Sequence, residues 1–380
     1  MNLFHNGHEE FRTRVRRFVE ERLAPHADEW ERRKVLPRSV FTELGQQGFL
    51  GLTRPREYGG LGLDFGYNVV LAEELPRARM PGLTLSVLAQ VNFVPPLLVR
   101  YGTEEQKREF LVPALRGEKI GALASTEPTG GSDIVNATRC RAVDDGDFWV
   151  IEGEKKFITN GPIADFVVCL VRTRPEPTPN SFSLVIVPTD TPGFRVKATL
   201  EKLGLHTSPT GWLEFDGCRV PKSYTIGRPN VGFFYHVQNL LEERLIGGVS
   251  AVALASLVLE DTMSYLRGRV AYGKPLSRLH PVRQTLAELA SYLEMARRFV
   301  YSVCESFRDG RVEAKEICMI KFAVVEVVQR LVERCLQLHG GYGFLEENWL
   351  TRVYRDVRVL SLGGGTSEVM KDLVAGYLRL

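Results

Sequence analysis

The chain has no Cys-x-x-Cys pair. Its six cysteines (Cys140, Cys169, Cys218, Cys304, Cys318, Cys335) are scattered, and His339 is the only histidine close to any of them in sequence. This argues against a zinc site and against a disulfide framework. The cysteines read as reduced core residues, so a cytoplasmic protein is expected. No run of about 18 apolar residues stands out, so no membrane-spanning helix is expected. No Gly-x-Gly-x-x-Gly follows a strand-like run, which leaves a Rossmann dinucleotide site unsupported. There is no long basic tract either: 49 Lys and Arg stand interspersed with 46 Asp and Glu, for a formal +3, and nothing in them calls for nucleic acid. Fixed-period repeats and low-complexity stretches are also missing.

What is present is ordinary globular material: 380 residues, 44% apolar and 25% charged. That is enough for a sizeable core in two or three domains. From His8 to Leu23 the chain is Arg-rich and amphipathic, with Phe11, Val15, Phe18, Val19 and Leu23 on one helical face and Pro25 ending the run. Glu9, Glu10, Glu20 and Glu21 set it apart from acid-poor transit peptides, so it reads as the first helix of the fold. Further helical stretches fall at Val40 to Gln47, Tyr67 to Leu75 and Thr103 to Leu115.

Between about 121 and 230 the texture changes. Gly and Pro become frequent and short β-rich runs appear at Phe148 to Ile151, Phe166 to Val171, Phe182 to Val187, Phe194 to Val196 and Trp212 to Phe215. Beyond Gly232, long stretches suit an antiparallel helical bundle: Val249 to Leu266, Val282 to Asp309 and Arg311 to His339. The expectation is three segregated units: a helical domain (1–120), a small β domain (121–230) and a helical bundle (231–380).

Two short stretches stand out in the β region. Thr126-Glu127-Pro128-Thr129-Gly130-Gly131-Ser132-Asp133 is rich in amides and hydroxyls that suit a phosphate or the polar edge of a flavin, although its residues equally make a surface turn. Lys156-Phe157-Ile158-Thr159-Asn160-Gly161 offers an aromatic face and a hydroxyl, although it also reads as a strand end with an Asn-Gly turn.

Together, in this order and between two helical regions, the two stretches closely resemble the signatures of the acyl-CoA dehydrogenase family. The resemblance continues through Tyr58-Gly59-Gly60-Leu61-Gly62, Lys202-Leu203-Gly204, Arg269 with Tyr272-Gly273-Lys274-Pro275-Leu276, Gln337 with Gly340-Gly341-Tyr342-Gly343, and Gly365-Thr366-Ser367-Glu368. It implies a mainly α fold with a middle β domain: an N-terminal helical domain, a small β-barrel or sandwich, and a C-terminal four-helix bundle. It also implies FAD as cofactor, an acyl-CoA thioester as substrate, electron-transfer flavoprotein as acceptor, and a homotetramer or dimer. Leu123, Ser125, Thr126, Gly131, Ser132 and Phe157, Ile158 and Thr159 would contact the flavin and its pyrophosphate. Arg269, Gln337 and Gly341 would reach the FAD of a neighbouring subunit, and Thr366 with Glu368 would line the adenosine side. Ser132 and Arg244 would also bind substrate. For Arg269 the plainer reading is an exposed cation at a helix end.

Removing the α-proton of a thioester while hydride leaves the β-carbon for flavin N5 requires a nearby carboxylate. In many relatives this glutamate directly precedes the Gly-Thr of the C-terminal motif, where this chain has Gly364. The branch that includes isovaleryl-CoA and long-chain enzymes carries it on a bundle helix, immediately before an arginine. Glu243 of Leu241-Glu242-Glu243-Arg244 matches that position, and the resemblance makes it the base. Glu242 points about 100° away around the helix and reads as a solvated or ion-paired carboxylate. Gly364 would still serve through its backbone N–H, which with a ribityl hydroxyl polarises the thioester carbonyl.

Gly247 and Gly248, one turn beyond Glu243, either open an acyl pocket or permit close helix packing. His206 stands where relatives commonly have arginine and reads as structural, since the mechanism needs no histidine; His280 stands where they often have a glutamine that approaches a partner subunit's FAD, and no role is assigned to it. Asn136-Ala137-Thr138 matches a glycosylation sequon, but without a signal peptide it has no expected meaning. No metal site is expected. Three other functions compete with the dehydrogenase. One is an acyl-carrier-protein dehydrogenase or oxidase of a biosynthetic pathway. Another is a flavin-bound scaffold or nucleic-acid binder that has lost its base, against which Glu243 argues. The last is a nitroalkane-oxidase-like enzyme, which would call for a carboxylate at 364.

Overall fold

The computed structural model describes residues 3–380. The first helix, Asn6–Phe18, continues through one π turn, Val19–Leu23, and buries Phe11, Val15, Val19 and Leu23 along one side. Both histidines at its start act as caps: the His5 ring accepts from Gly7 N, and the His8 ring accepts from His5 N.

Among the helices that went unmarked in the sequence are Pro81–Asn92 and Pro95–Tyr101. They are buried on nearly every side, so no polar face reveals a 3.6-residue period. By length and apolarity the stretches Pro81–Tyr101 and Gly232–Gly268 are able to cross a membrane, contrary to the expectation of no such segment. Most of each apolar window, 83% and 61%, is instead packed inside the protein, as in core helices.

The middle region is one curled sheet of eight strands: β1 (Gly121–Ala124), β2 (Arg141–Asp145), β3 (Phe148–Thr159), β4 (Phe166–Arg172), β5 (Phe182–Pro188), β6 (Phe194–Thr199), β7 (Thr210–Pro221) and β8 (Thr225–Ile226). Their order is β6-β7-β3-β2-β4-β5-β8, with β1 parallel to β4. One face closes over Trp149, Ile151, Ile158, Val185, Leu213 and Phe215. The other face of β4 and β5 packs Phe166, Val168, Leu184 and Ile186 against Leu97, Leu98, Phe110 and Leu111 of the N-terminal helices. Both faces of β4 and β5 are therefore buried, which explains why their sequences are continuously apolar rather than alternating.

The C-terminal domain is a bundle. Its axis is the 37-residue helix Gly232–Gly268, hereafter the long helix. Around it stand His280–Arg308, the run Ala314–Met319, Ile320–Val324 and Val325–Leu338, and the last helix, Ser367–Tyr377. The stretch Ile320–Val324 is a π turn. Helix Phe65–Glu74 of the N-terminal domain also packs on the long helix, so one continuous core joins these two domains. All six cysteines are free and buried.

Candidate active site

Glu242 and Glu243 lie side by side on the long helix and face different surroundings. Glu242 is 3% exposed and accepts from Arg54 Nη2 at 2.8 Å and Arg100 Nη2 at 2.9 Å, both from the N-terminal domain. It is a buried structural ion pair. Glu243 instead faces the loop Gly363-Gly364-Gly365. A Cβ placed on Gly364 would sit 3.5 Å from Glu243 Oε1. The carboxyl on the long helix therefore occupies the space into which a side chain at 364 would project. Gly364 and Gly365 have φ of +68° and +102°, a left-handed backbone that glycine adopts without strain.

Glu243 keeps a partly accessible edge, yet protein surrounds its carboxylate closely enough for desolvation to push its pKa up to about 7, against the opposing pull of Arg244 and Lys321. Such a group is poised to take a proton near neutral pH. Arg244 is buried, and its Nε donates to Gly364 O at 2.8 Å. Thr366 follows the loop and caps the last helix, its Oγ1 accepting from Val369 N, with Glu368 exposed in the first turn.

Beyond Glu243 lies a cavity of about 90 Å³, lined by Thr84, Leu88, Gly247, Ser250, Leu254 and Leu360 among others. The two glycines separate here. A Cβ on Gly247 meets nothing within 4 Å, whereas one on Gly248 would come 2.4 Å from Ile320 Cγ2. Gly247 thus opens the cavity and Gly248 permits helix packing.

The two motifs of the β domain are stitched together. Lys156 N donates to Thr126 O at 2.8 Å. Fully buried Lys155 donates to Ser125 O at 3.2 Å and Glu127 Oε1 at 2.8 Å, while Glu127 also accepts from the backbone N–H groups of Arg139 and Cys140. Glu127 and Lys155 are scaffold, and the sequence reading assigned neither. On this scaffold Leu123, Ser125 and Thr126 are half-buried, and Gly131 and Ser132 are exposed in the turn. Phe157 stands at a bulge in β3 with φ +63° and is 61% exposed. A large aromatic held outward on a rigid strand is a platform for a flat ring system, and the residues fit a flavin there. Thr159 is half-buried beside it, whereas the Ile158 side chain lies in the β core, leaving only its main chain for a cofactor.

Arg269 and Gly341 are brought together elsewhere, on a surface cavity of about 540 Å³ shared with Tyr265, Leu276, His339 and Tyr342. The Arg269 guanidinium lies 5.7 Å from the Tyr342 ring centre, and Gln337 is exposed at the nearby helix end. Since 26 residues of the long helix separate Arg269 from Glu243, at 1.5 Å per residue this cavity is about 39 Å away. Within one subunit it cannot share a cofactor with Glu243.

This chain matches the family models described as acyl-CoA dehydrogenase N-terminal domain (residues 5–118), middle domain (122–218) and C-terminal domain (230–378). The chain belongs to the acyl-CoA dehydrogenase family. It is 35% identical over 98% of its length to the mitochondrial long-chain specific acyl-CoA dehydrogenase of Sus scrofa, of which it covers 86%. Among solved structures it superposes on an acyl-CoA dehydrogenase from Geobacillus kaustophilus with a TM-score of 0.95, at 38% identity and 99% coverage of both chains. It superposes equally well, TM-score 0.95, on the prolyl acyl carrier protein oxidase AnaB, at 26% identity, covering 99% of this chain and 100% of that one. This member of the family is therefore an FAD-dependent oxidoreductase.

Two features near the site escaped the sequence reading. Lys321 reads as an ordinary helix lysine, although its place among Ile317, Ile320 and Val324 puts it on the apolar side, a legible signal. His236, buried near Arg244 and Lys155, has its pKa pushed down to about 4 by burial and is neutral at working pH. Far from the site, His5, His8 and Asp64 place possible ligand atoms within 4.8 Å of one another. Both Nδ1 atoms accept backbone N–H groups, so the Nε2 atoms carry the protons and face Asp64, an arrangement that suits a helix cap better than a metal.

Proposed function

We propose that the enzyme dehydrogenates an acyl-CoA thioester between the α and β carbons to give the trans-2-enoyl-CoA, with Glu243 as the base. The observation that carries this reading is the Glu243 carboxylate standing 3.5 Å from where a side chain at Gly364 would begin, with a pKa of about 7. The thioester carbonyl accepts the Gly364 N–H, which stabilises the enolate-like charge on the acyl group as Glu243 takes the α-proton. Bound FAD supplies the two-electron acceptor for the hydride that leaves the β-carbon. The acyl chain extends past Gly247 into the apolar cavity, and Phe157 and Thr159 hold the flavin, with Thr126, Gly131 and Ser132 at its phosphates. Arg269, Gln337 and Gly341 serve a neighbouring subunit of a homotetramer or dimer, which their distance from Glu243 supports. Electron-transfer flavoprotein is the proposed electron acceptor.

The likeness to the prolyl acyl carrier protein oxidase favours a second reading, a carrier-protein-bound acyl substrate with oxygen as acceptor. The experiment is an anaerobic titration of the flavin absorbance of wild type and Glu243→Gln with straight and branched acyl-CoAs. Bleaching in wild type that is lost in the variant, with FAD still bound, is the expected result. If no acyl-CoA bleaches wild type but an acyl-carrier-protein thioester does, the second reading replaces the first. If the variant bleaches as fast as wild type, Glu243 is not the base.

A further inference from the structure

Lys321 is a buried cation at this site to which the proposed chemistry gives no task. It is 8% exposed, and lysine is rarely so buried without a carboxylate partner. Its ammonium instead donates to two backbone carbonyls, Leu360 O and Gly365 O, the latter at 3.1 Å. These carbonyls bracket the loop. Arg244, from the long helix, donates to the carbonyl between them, Gly364 O. Three consecutive glycines have no intrinsic preference for the φ values seen at Gly364 and Gly365, and their freedom has to be removed from outside. Two cations from two different helices do this. A Cβ at 364 would lie 3.5 Å from both Lys321 Cε and Glu243 Oε1, so the lysine stem, the base and the loop converge on one point.

We propose that Lys321 is a positioning residue for proton abstraction: it clamps the Gly363–Gly365 loop so that the Gly364 N–H faces the thioester oxygen, and its charge favours the ionised form of Glu243. The inference rests on the dehydrogenase reading above. The charged groups that act on Glu243 are Arg244, on its own helix, and Lys321, on the facing one. Cys318 and Tyr377 face Arg244 in turn. Burial already outweighs both cations at Glu243, so removing one cation moves its titration further up. Burial pushes Lys321 itself down to about 8, which leaves it mostly protonated at neutral pH.

The test compares wild type with Lys321→Met, which keeps the stem, Lys321→Gln, which keeps a donor without the charge, and Lys321→Arg, which keeps the charge. Each FAD-loaded enzyme is titrated anaerobically with octanoyl-CoA and isovaleryl-CoA between about pH 6 and 9. Amide exchange of residues 360–366 is followed in parallel without substrate. Lys321→Met is expected to reduce flavin roughly 10- to 100-fold more slowly, with KM little changed and faster exchange in the loop. The acid limb of its rate profile should move up by about one pH unit. Lys321→Gln should move the limb while retaining part of the loop protection, and Lys321→Arg should restore the limb. If Lys321→Met does not fold, Lys321→Gln decides by the same two readouts. An unmoved pH limb together with unchanged exchange overturns the inference, since a residue that merely fills space would alter neither. If neither thioester bleaches wild type, the dehydrogenase reading fails, while the exchange data still decide whether Lys321 holds the loop.

Discussion

The two faces of the long helix at Glu242 and Glu243 carry the same side chain into opposite fates. On the face towards the N-terminal domain, two arginines meet the Glu242 carboxylate, one on each oxygen. On the face towards the Gly363–Gly365 loop, no hydrogen-bonded partner among the described residues meets Glu243, and burial leaves its proton affinity high. A carboxylate whose two oxygens are occupied by arginines is a structural group; one left without such partners is available for proton transfer. On the proposed mechanism, function follows from which carboxylate the fold leaves without a partner.

Replacing each carboxylate in turn by its amide breaks this comparison most sharply. Glu243→Gln is expected to lower the rate of flavin reduction by about 10³- to 10⁴-fold with the fold intact, as stopped-flow absorbance and thermal unfolding would show. Glu242→Gln should do the reverse, leaving the buried Arg54 without a counter-charge and the exposed Arg100 without its partner. Through the buried Arg54 contact it should cost about 3 kcal/mol in denaturant unfolding, with flavin reduction surviving in whatever fraction remains folded.

The pH dependence of Glu243 sharpens the comparison further. The rate should rise with pH through about 7, as Glu243 ionises, and level off above. Folding raises the pKa of this group from 4.5, so the stabilisation it contributes to the protonated fold is lost as pH rises from 4.5 through about 7. Activity and the Glu243 contribution to stability therefore move in opposite directions across that window, and Glu243→Gln should remove both trends.

A smaller effect separates the neighbouring glycines. Gly248→Ala should destabilise by about 1 to 3 kcal/mol, because its Cβ would meet Ile320 at 2.4 Å. Gly247→Ala should stabilise the helix by roughly 1 kcal/mol while narrowing the cavity, seen as a shift of kcat/KM towards less bulky acyl groups. Equal behaviour of the two variants would undo the assignment of Gly247 to the cavity.

Much of this was legible before any coordinates. The amphipathic first helix, the five β-rich runs and the long C-terminal helices announced themselves by period and by Gly and Pro punctuation. The helices between residues 81 and 101 did not, because a segment buried all round has no polar face to set the period. The long helix was legible only from Val249, since Glu242, Glu243 and the Gly247-Gly248 pair interrupt its apolar pattern, yet it begins at Gly232. At the site, Glu243, Gly364 and Phe157 were found in the sequence through the family resemblance. Lys321 was not, because a lysine in a helix is ordinarily solvated and only its place on the apolar side marks it out.

By itself the sequence determined the family, the order of helical and β regions, the FAD chemistry and the absence of a carboxylate at 364, because these follow from residue identity and local spacing. Tertiary structure alone decided which of two adjacent glutamates is paired, which of two adjacent glycines opens a cavity, and which lysine clamps the loop. Those outcomes depend on groups far apart in the chain: Arg54 is 188 residues from Glu242, and Gly364 is 120 residues from Arg244. Electrostatics and close packing act through space, and no local pattern encodes such a meeting.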